Sequence, residues 1–132
     1  MKMSKIERFE DLVVWKLARK LCKEINLIIQ ETPLKNDYKL RDQIKGSSGS
    51  VMDNIAEGFE RDGNKEFIQF LSISKGSCGE TRSQVYRCYD FGYIDNSKFE
   101  KLISDCIILN TKINNLISYL KKSSVIGRKY KP

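Results

Sequence analysis

Proline is almost absent from this chain. Pro33 and Pro132 are the two prolines in 132 residues, so a single interior position forbids a continuing helix. Between the turn signals, apolar residues recur at three- and four-residue steps, which is the spacing of one helix face. Four helices are predicted, over residues 11–31, 38–60, 65–91 and 98–122, followed by a basic tail over 123–132. Short connections between long helices predict an all-α fold, an antiparallel up-down four-helix bundle in one domain. At 132 residues, one domain of this kind buries a real core.

In the first helix Val14, Leu17, Ala18, Leu21, Cys22, Ile25, Ile28 and Ile29 share a side, and Thr32-Pro33 ends it. The second carries Leu40, Ile44, Ser48, Val51, Ile55 and Phe59 inward. The small-residue run Gly46-Ser47-Ser48-Gly49-Ser50 falls inside it. Glycine disfavours a helix interior by about 1 kcal/mol, yet the apolar register continues from Ile44 to Val51, so a helix with a thin, close-packed waist is expected there. Gly63 is expected to close this helix in the left-handed C′ position and Asn64 to cap the next. The third helix has a heptad seam of Phe67, Leu71, Ser74, Cys78, Thr81, Val85 and Cys88, and Gly92 closes it. Ser97 and Glu100 have the form of a capping box for the fourth. The seam of that helix is Phe99, Leu102, Cys106, Leu109, Ile113, Leu116 and Leu120, widened by Ile103, Ile107 and Ile117. So broad an apolar face exceeds what one core needs, and it predicts a homo-oligomer.

The chemistry is bounded by absences. There is no histidine, which removes the usual neutral-pH base, the Ser-His and Cys-His pairs and the commonest metal ligand. Cys22, Cys78, Cys88 and Cys106 have no C-x-x-C spacing and read as core thiols, and Trp15 as a core or interface anchor. Asp53, Glu57 and Glu60 are expected to pair with basic side chains rather than to hold a metal. No phosphate loop is present. The expectation is a protein without catalytic residues, metal or cofactor. No apolar run is long enough for a membrane span, and with no secretory h-region a cytoplasmic location is expected.

Charge is the informative property. Lys and Arg number 24 against 17 Asp and Glu, for a net charge of +7. Residues 1–105 hold 18 basic and 17 acidic residues, whereas residues 106–132 hold six basic residues and no acid. The first helix also bears Lys16, Arg19, Lys20 and Lys23 within about a 100° arc. Together with Lys121, Lys122, Arg128, Lys129 and Lys131, these are the candidate nucleic-acid contacts, for RNA or DNA. Arg41, Lys45 and Arg61 add charge on or after the second helix. A solvated basic surface fits the same residues. So does a scaffold that contacts a partner protein through the fourth helix with Tyr86, Tyr89 and Tyr119.

Several motifs occur together: Phe9-Glu10-Asp11-Leu12-Val13-Val14-Trp15, Gln43-Ile44, Asn54-Ile55-Ala56-Glu57-Gly58, Lys65-Glu66-Phe67 with Phe70-Leu71, Lys75-Gly76-Ser77 with Glu80, and Gly92-Tyr93-Ile94. The set resembles the bacterial 23S rRNA intervening-sequence family and is similar to the accessory variability determinant of diversity-generating retroelements. That resemblance implies a four-helix bundle assembling into a homopentameric ring and a role in binding nucleic acid. In the retroelement relatives it implies work beside a reverse transcriptase, and it implies no catalytic activity. Asn54, Glu57, Ser77 and Glu80 are the polar residues within the matching motifs, and Asn54 and Glu57 are expected to bond across helices, to Ser77 or Arg82. The second helix departs from the family pattern: Lys45-Gly46 replaces an Arg pair, Ser47-Ser48-Gly49 an Ala-rich stretch, and Val51-Met52 stands where Ile-Pro is usual.

Overall fold

The computed structural model describes residues 6–123. A 3-10 turn at Phe9–Asp11 leads into α1 (Val13–Glu31), and a second at Pro33–Asn36 leads into α2 (Tyr38–Glu60). After two short connections follow α3 (Asn64–Asp90) and α4 (Asn96–Lys122). Each helix packs against its neighbours in sequence, and α1 closes the bundle on α4. The cross-helix contacts run in opposite order along each pair. Ser47 meets Gln84, Ser50 meets Ser77 and Ser74 reaches Val51, so α2 and α3 are antiparallel. Phe99 stacks with Tyr89, Cys78 reaches Cys106 and Lys75 reaches Asn114, so α3 and α4 are antiparallel too. The predicted bundle is the observed fold.

The seams form one core. Leu21, Ile25, Leu34, Leu40, Ile44, Ile55, Phe67, Leu71, Leu102, Leu109, Ile113 and Leu120 are its largest enclosed side chains, each stabilising the fold by about 1.5–3 kcal/mol. Cys78, Cys88 and Cys106 are buried among them, as expected, while Cys22 is half-buried and its thiol donates to the Ser48 carbonyl at 3.1 Å. Of the residues that widen the α4 face, Ile117 is buried, Ile103 is half-buried and Ile107 is 46% exposed.

Four local expectations are corrected. The waist on α2 is not made by its glycines: a Cβ built at Gly46 or Gly49 meets nothing within 4 Å. Ser47 and Ser48 turn inward instead, because they lie on the stripe that continues from Ile44 to Val51. Ser47 Oγ donates to Gln84 Oε1 at 2.6 Å and lies 2.8 Å from Thr81 Oγ1, which satisfies three buried polar groups at once. The close approach falls about three turns further along the same side, at Gly58, where an added Cβ would lie 2.6 Å from Phe70 Cβ.

Gly63 is not the C′ residue of α2, which ends on extended Arg61. It occupies the position before α3 with φ 87° and ψ 159°, a conformation open to glycine alone. α3 therefore starts at Asn64, too early for that side chain to cap it, and the amide is buried. Likewise α4 starts at Asn96, two residues before the expected site, and its cap is Asp95, which accepts from the Lys98 amide at 2.8 Å. Ser97 thereby lies inside the helix and no capping box forms. At the front, residues 11 and 12 precede α1, because Phe9–Asp11 closes a 3-10 turn.

Gly92 does close α3. With φ 79° it supports paired bonds from Gly92 N to Tyr89 O and from Tyr93 N to Cys88 O, a Schellman motif. Tyr93 then donates its hydroxyl to Asp37 Oδ2 at 2.8 Å, tying this turn to the cap of α2.

The buried Cys88 thiol gives the fold an alkaline limit. Burial, with Asp37 adding to it, pushes this thiol up to about 11 from the ordinary 9.0. Above about pH 9 the unfolded chain releases a proton that the folded chain keeps, so stability present below that pH is lost as pH rises towards about 11. Two units correspond to roughly 3 kcal/mol. Urea unfolding at about pH 8 and about pH 11 should show this loss in the wild type, and a smaller one by about that amount in Cys88→Ala.

Candidate nucleic-acid interface

The expected basic stripe forms on α1. Apolar residues at 14, 18, 21, 25, 28 and 29 turn one side of the helix into the core. The helical period then places Lys16, Arg19, Lys20 and Lys23 together on the exposed side. With Trp15 and Glu10 they line a cleft of about 420 Å³. Trp15 is half-buried, packed edge-to-face on Phe9 with ring centroids 5.2 Å apart. The Arg19 guanidinium lies 5.8 Å from the Trp15 ring centroid.

Convergence in one cleft separates these four from the other basic residues. Glu10 is held by Arg8 at 2.9 Å, an exposed pair in which the guanidinium keeps the carboxyl below its usual range. Among the described residues, none of Lys16, Arg19, Lys20 and Lys23 has a carboxylate partner within 4 Å. The four make like-charge contacts at three- and four-residue spacing, each unfavourable by about 0.2–0.5 kcal/mol. Lys16 also lies in the first turn of α1, where the macrodipole disfavours a cation. These like-charge contacts oppose folding, and a bound polyanion would relieve them.

Elsewhere some cations are matched, while Lys39, Lys45, Lys65, Arg82, Lys98 and Lys112, like the α1 four, have no carboxylate within 4 Å among the described residues. Arg41 binds Asp42 at 3.0 Å and the Lys35 carbonyl, Arg61 binds Glu57 at 2.9 Å and reaches Glu66, and Lys101 joins Glu24 on α1 to Asp105. Lys121 and Lys122 are exposed in the last turn of α4. They lie at the end of the bundle where α1 begins, since Val13 and Val14 share a second, apolar cleft with Leu116 and Tyr119. Arg128, Lys129 and Lys131 lie outside the described residues.

The motif residues make hydrogen bonds and ion pairs by routes that spacing did not disclose. Asn54 does not bond across helices. Its amide donates to the Ser50 carbonyl at 2.8 Å and to Ser50 Oγ at 2.9 Å, and Ser50 in turn meets Ser77 Oγ at 2.9 Å. Glu57 pairs with Arg61 on its own chain segment, and Glu80 accepts from Gln84 one turn on. Gly58 of the N-I-A-E-G segment packs directly on Phe67 and Phe70, so two of the motifs are halves of one contact. Trp15 packs on the core, as expected of an anchor, and also lines the basic cleft, which was not expected. The available signal was its position beside Lys16 and one turn before Arg19.

Among the described residues no group of His, Cys, Asp and Glu is placed to hold a metal, and no helix is long and apolar enough to cross a membrane. What the fold and surface define is an antiparallel all-helical bundle carrying an unpaired basic cleft on its first helix. The chain belongs to the family of 23S rRNA-intervening sequence proteins, whose pattern it matches over residues 10–115. A structure from Bacteroides thetaiotaomicron, described as a protein with unknown function from the S23 ribosomal protein family, shares the fold with a TM-score of 0.71. It is 22% identical over 80% of this chain and 98% of that one. Among curated proteins none matches the sequence.

Proposed function

We propose that this protein is a non-enzymatic, self-associating bundle that binds RNA or DNA through the α1 cleft, with little sequence preference. The observation that carries this reading is the cluster Lys16, Arg19, Lys20 and Lys23, four cations in one cleft with no carboxylate partner among the described residues. Lysines and arginines released from counterions by phosphates supply affinity without reading bases. Lys121 and Lys122, exposed at the same end of the bundle, extend the surface, and Arg128, Lys129 and Lys131 belong to it on charge alone.

Self-association is assigned to the apolar side chains left outside the core, Ile107 and Ile108 of α4 at 46% exposure each and Ile73 of α3. A ring of five, the assembly implied by the family resemblance, would repeat the basic cleft in every subunit and turn modest contacts into multivalent binding. A reverse transcriptase as protein partner follows from the same resemblance, and both it and a cytoplasmic location belong to this reading. Light scattering reads the subunit count directly, and a monomer at all concentrations would remove the multivalent part.

The binding test is a salt titration. Anisotropy of a labelled oligonucleotide should give a steep fall of affinity with salt. Replacing Lys16, Arg19, Lys20 and Lys23 together by glutamine should lower the slope of log K against log salt by about 3 for a single strand. An unchanged slope in that variant, or no binding by the wild type at low salt, counts against the reading.

A further inference from the structure

We infer that the α1 cleft takes a single strand rather than a duplex, with one unpaired base stacked on Trp15 and the flanking phosphates on Lys16, Arg19, Lys20 and Lys23. This rests on the nucleic-acid reading above and names its substrate class. A surface that recognised phosphates alone would need cations and backbone amides, not an aromatic ring. Here the chain's one tryptophan is half-buried and lines the same cleft as the four unpaired cations. Its edge-to-face contact with Phe9 holds the ring in place before any ligand arrives, so little freedom is lost on stacking. Within a duplex, both faces of every base are covered by its neighbours. Only an unpaired base offers a free π-face, and every base has one, so the site is tolerant of sequence.

The remaining geometry agrees. At about 420 Å³ the cleft falls in the size range of sites for small ligands. Arg19 lies over the Trp15 ring, 5.8 Å from its centroid, so a base stacking on that face takes the place of the guanidinium and turns it outward to meet a phosphate. The one acid in the cleft, Glu10, is already paired with Arg8. Aromatic stacking together with a basic track is the combination that single-strand binding uses.

Because Trp15 is the only tryptophan, the wild-type protein reports on its own site. The probes are oligouridylate, oligothymidylate, a duplex of equal length and inorganic polyphosphate, with binding followed separately by anisotropy or its competition. Both single strands should quench Trp15 emission by roughly half or more, whereas polyphosphate and duplex bind with emission nearly unchanged. Trp15→Leu should weaken single-strand binding about tenfold and leave polyphosphate affinity as it was. Trp15→Phe, which keeps the contact with Phe9, should retain most of the single-strand affinity.

Single strands that bind with Trp15 emission unchanged, or that bind Trp15→Leu as tightly as wild type, overturn the stacking while leaving nucleic-acid binding standing. Equal quenching by duplex or polyphosphate overturns it as well. If no probe binds at low salt, the nucleic-acid reading falls and the stacking falls with it.

Discussion

Replacing Gly46, Gly49, Gly76 and Gly79 together by alanine should raise the thermal midpoint by roughly 10 °C. All four sit inside helices, the first two in α2 and the others in α3, and a Cβ at any of them meets nothing within 4 Å. Each glycine leaves the unfolded chain conformational freedom that alanine would remove, an effect of about 0.5–1 kcal/mol per site. With open space around each position no packing term opposes the gain, so the four add to about 2–4 kcal/mol. Calorimetry of the quadruple variant checks this. An unchanged or lowered midpoint would show that something occupies the space beside these glycines in the assembled protein.

Gly58→Ala should have the opposite sign, lowering stability by about 2 kcal/mol. Here the added methyl group would lie 2.6 Å from Phe70 Cβ and 3.1 Å from Phe67 Cδ1. The nearer atom is fixed to the α3 backbone and cannot swing away, so α2 and α3 must move apart. That separation loosens the α2–α3 seam around Phe59 and Phe67, whose rings meet edge-to-face at 5.9 Å. The helix-propensity gain of about 1 kcal/mol offsets part of an overpacking term at the upper end of its range. Urea unfolding should give a lower midpoint with an unchanged slope. A variant as stable as wild type would mean the helices do not approach this closely in solution.

One residue type thus acts in opposite senses within a single helix, and the sequence pattern does not separate the two. In the run from Gly46 to Ser50, glycine and serine are equally small. Spacing from Ile44 to Val51 shows that the helix continues, but not that the serines of the expected close-packed waist make the contact while its glycines do not. Ser47 and Ser48 face inward and Gly46 faces out, a distinction of about 100° per residue that the hydrophobic seam itself contains. Gly58 lay in plain view within a recognisable motif. Its role emerged once α3 placed Phe67 and Phe70 across from it, a contact between residues with no fixed spacing in the chain.

The site was partly legible for the same reason. Lys16, Arg19, Lys20 and Lys23 lie on one helix, so their convergence follows from the helical period alone. Their isolation does not. That Arg41 and Arg61 are matched by acids while the α1 cations are not depends on side-chain placement, in one case across the α2–α3 turn. Trp15 belongs to the cleft because Phe9, in the turn before α1, sets its ring, and local spacing says nothing of that contact.

The sequence by itself determined the helices, their order and the face each turns inward, because near-absence of proline and a 3.6-residue period are local properties. It also determined that the surplus charge concentrates beyond residue 105 and that the first helix bears a basic stripe. Only the tertiary structure decided which small residues make the close contacts, which caps form, and which cations remain without a partner. Those outcomes are set by distances between segments far apart in the chain, and such distances exist only once the helices have packed.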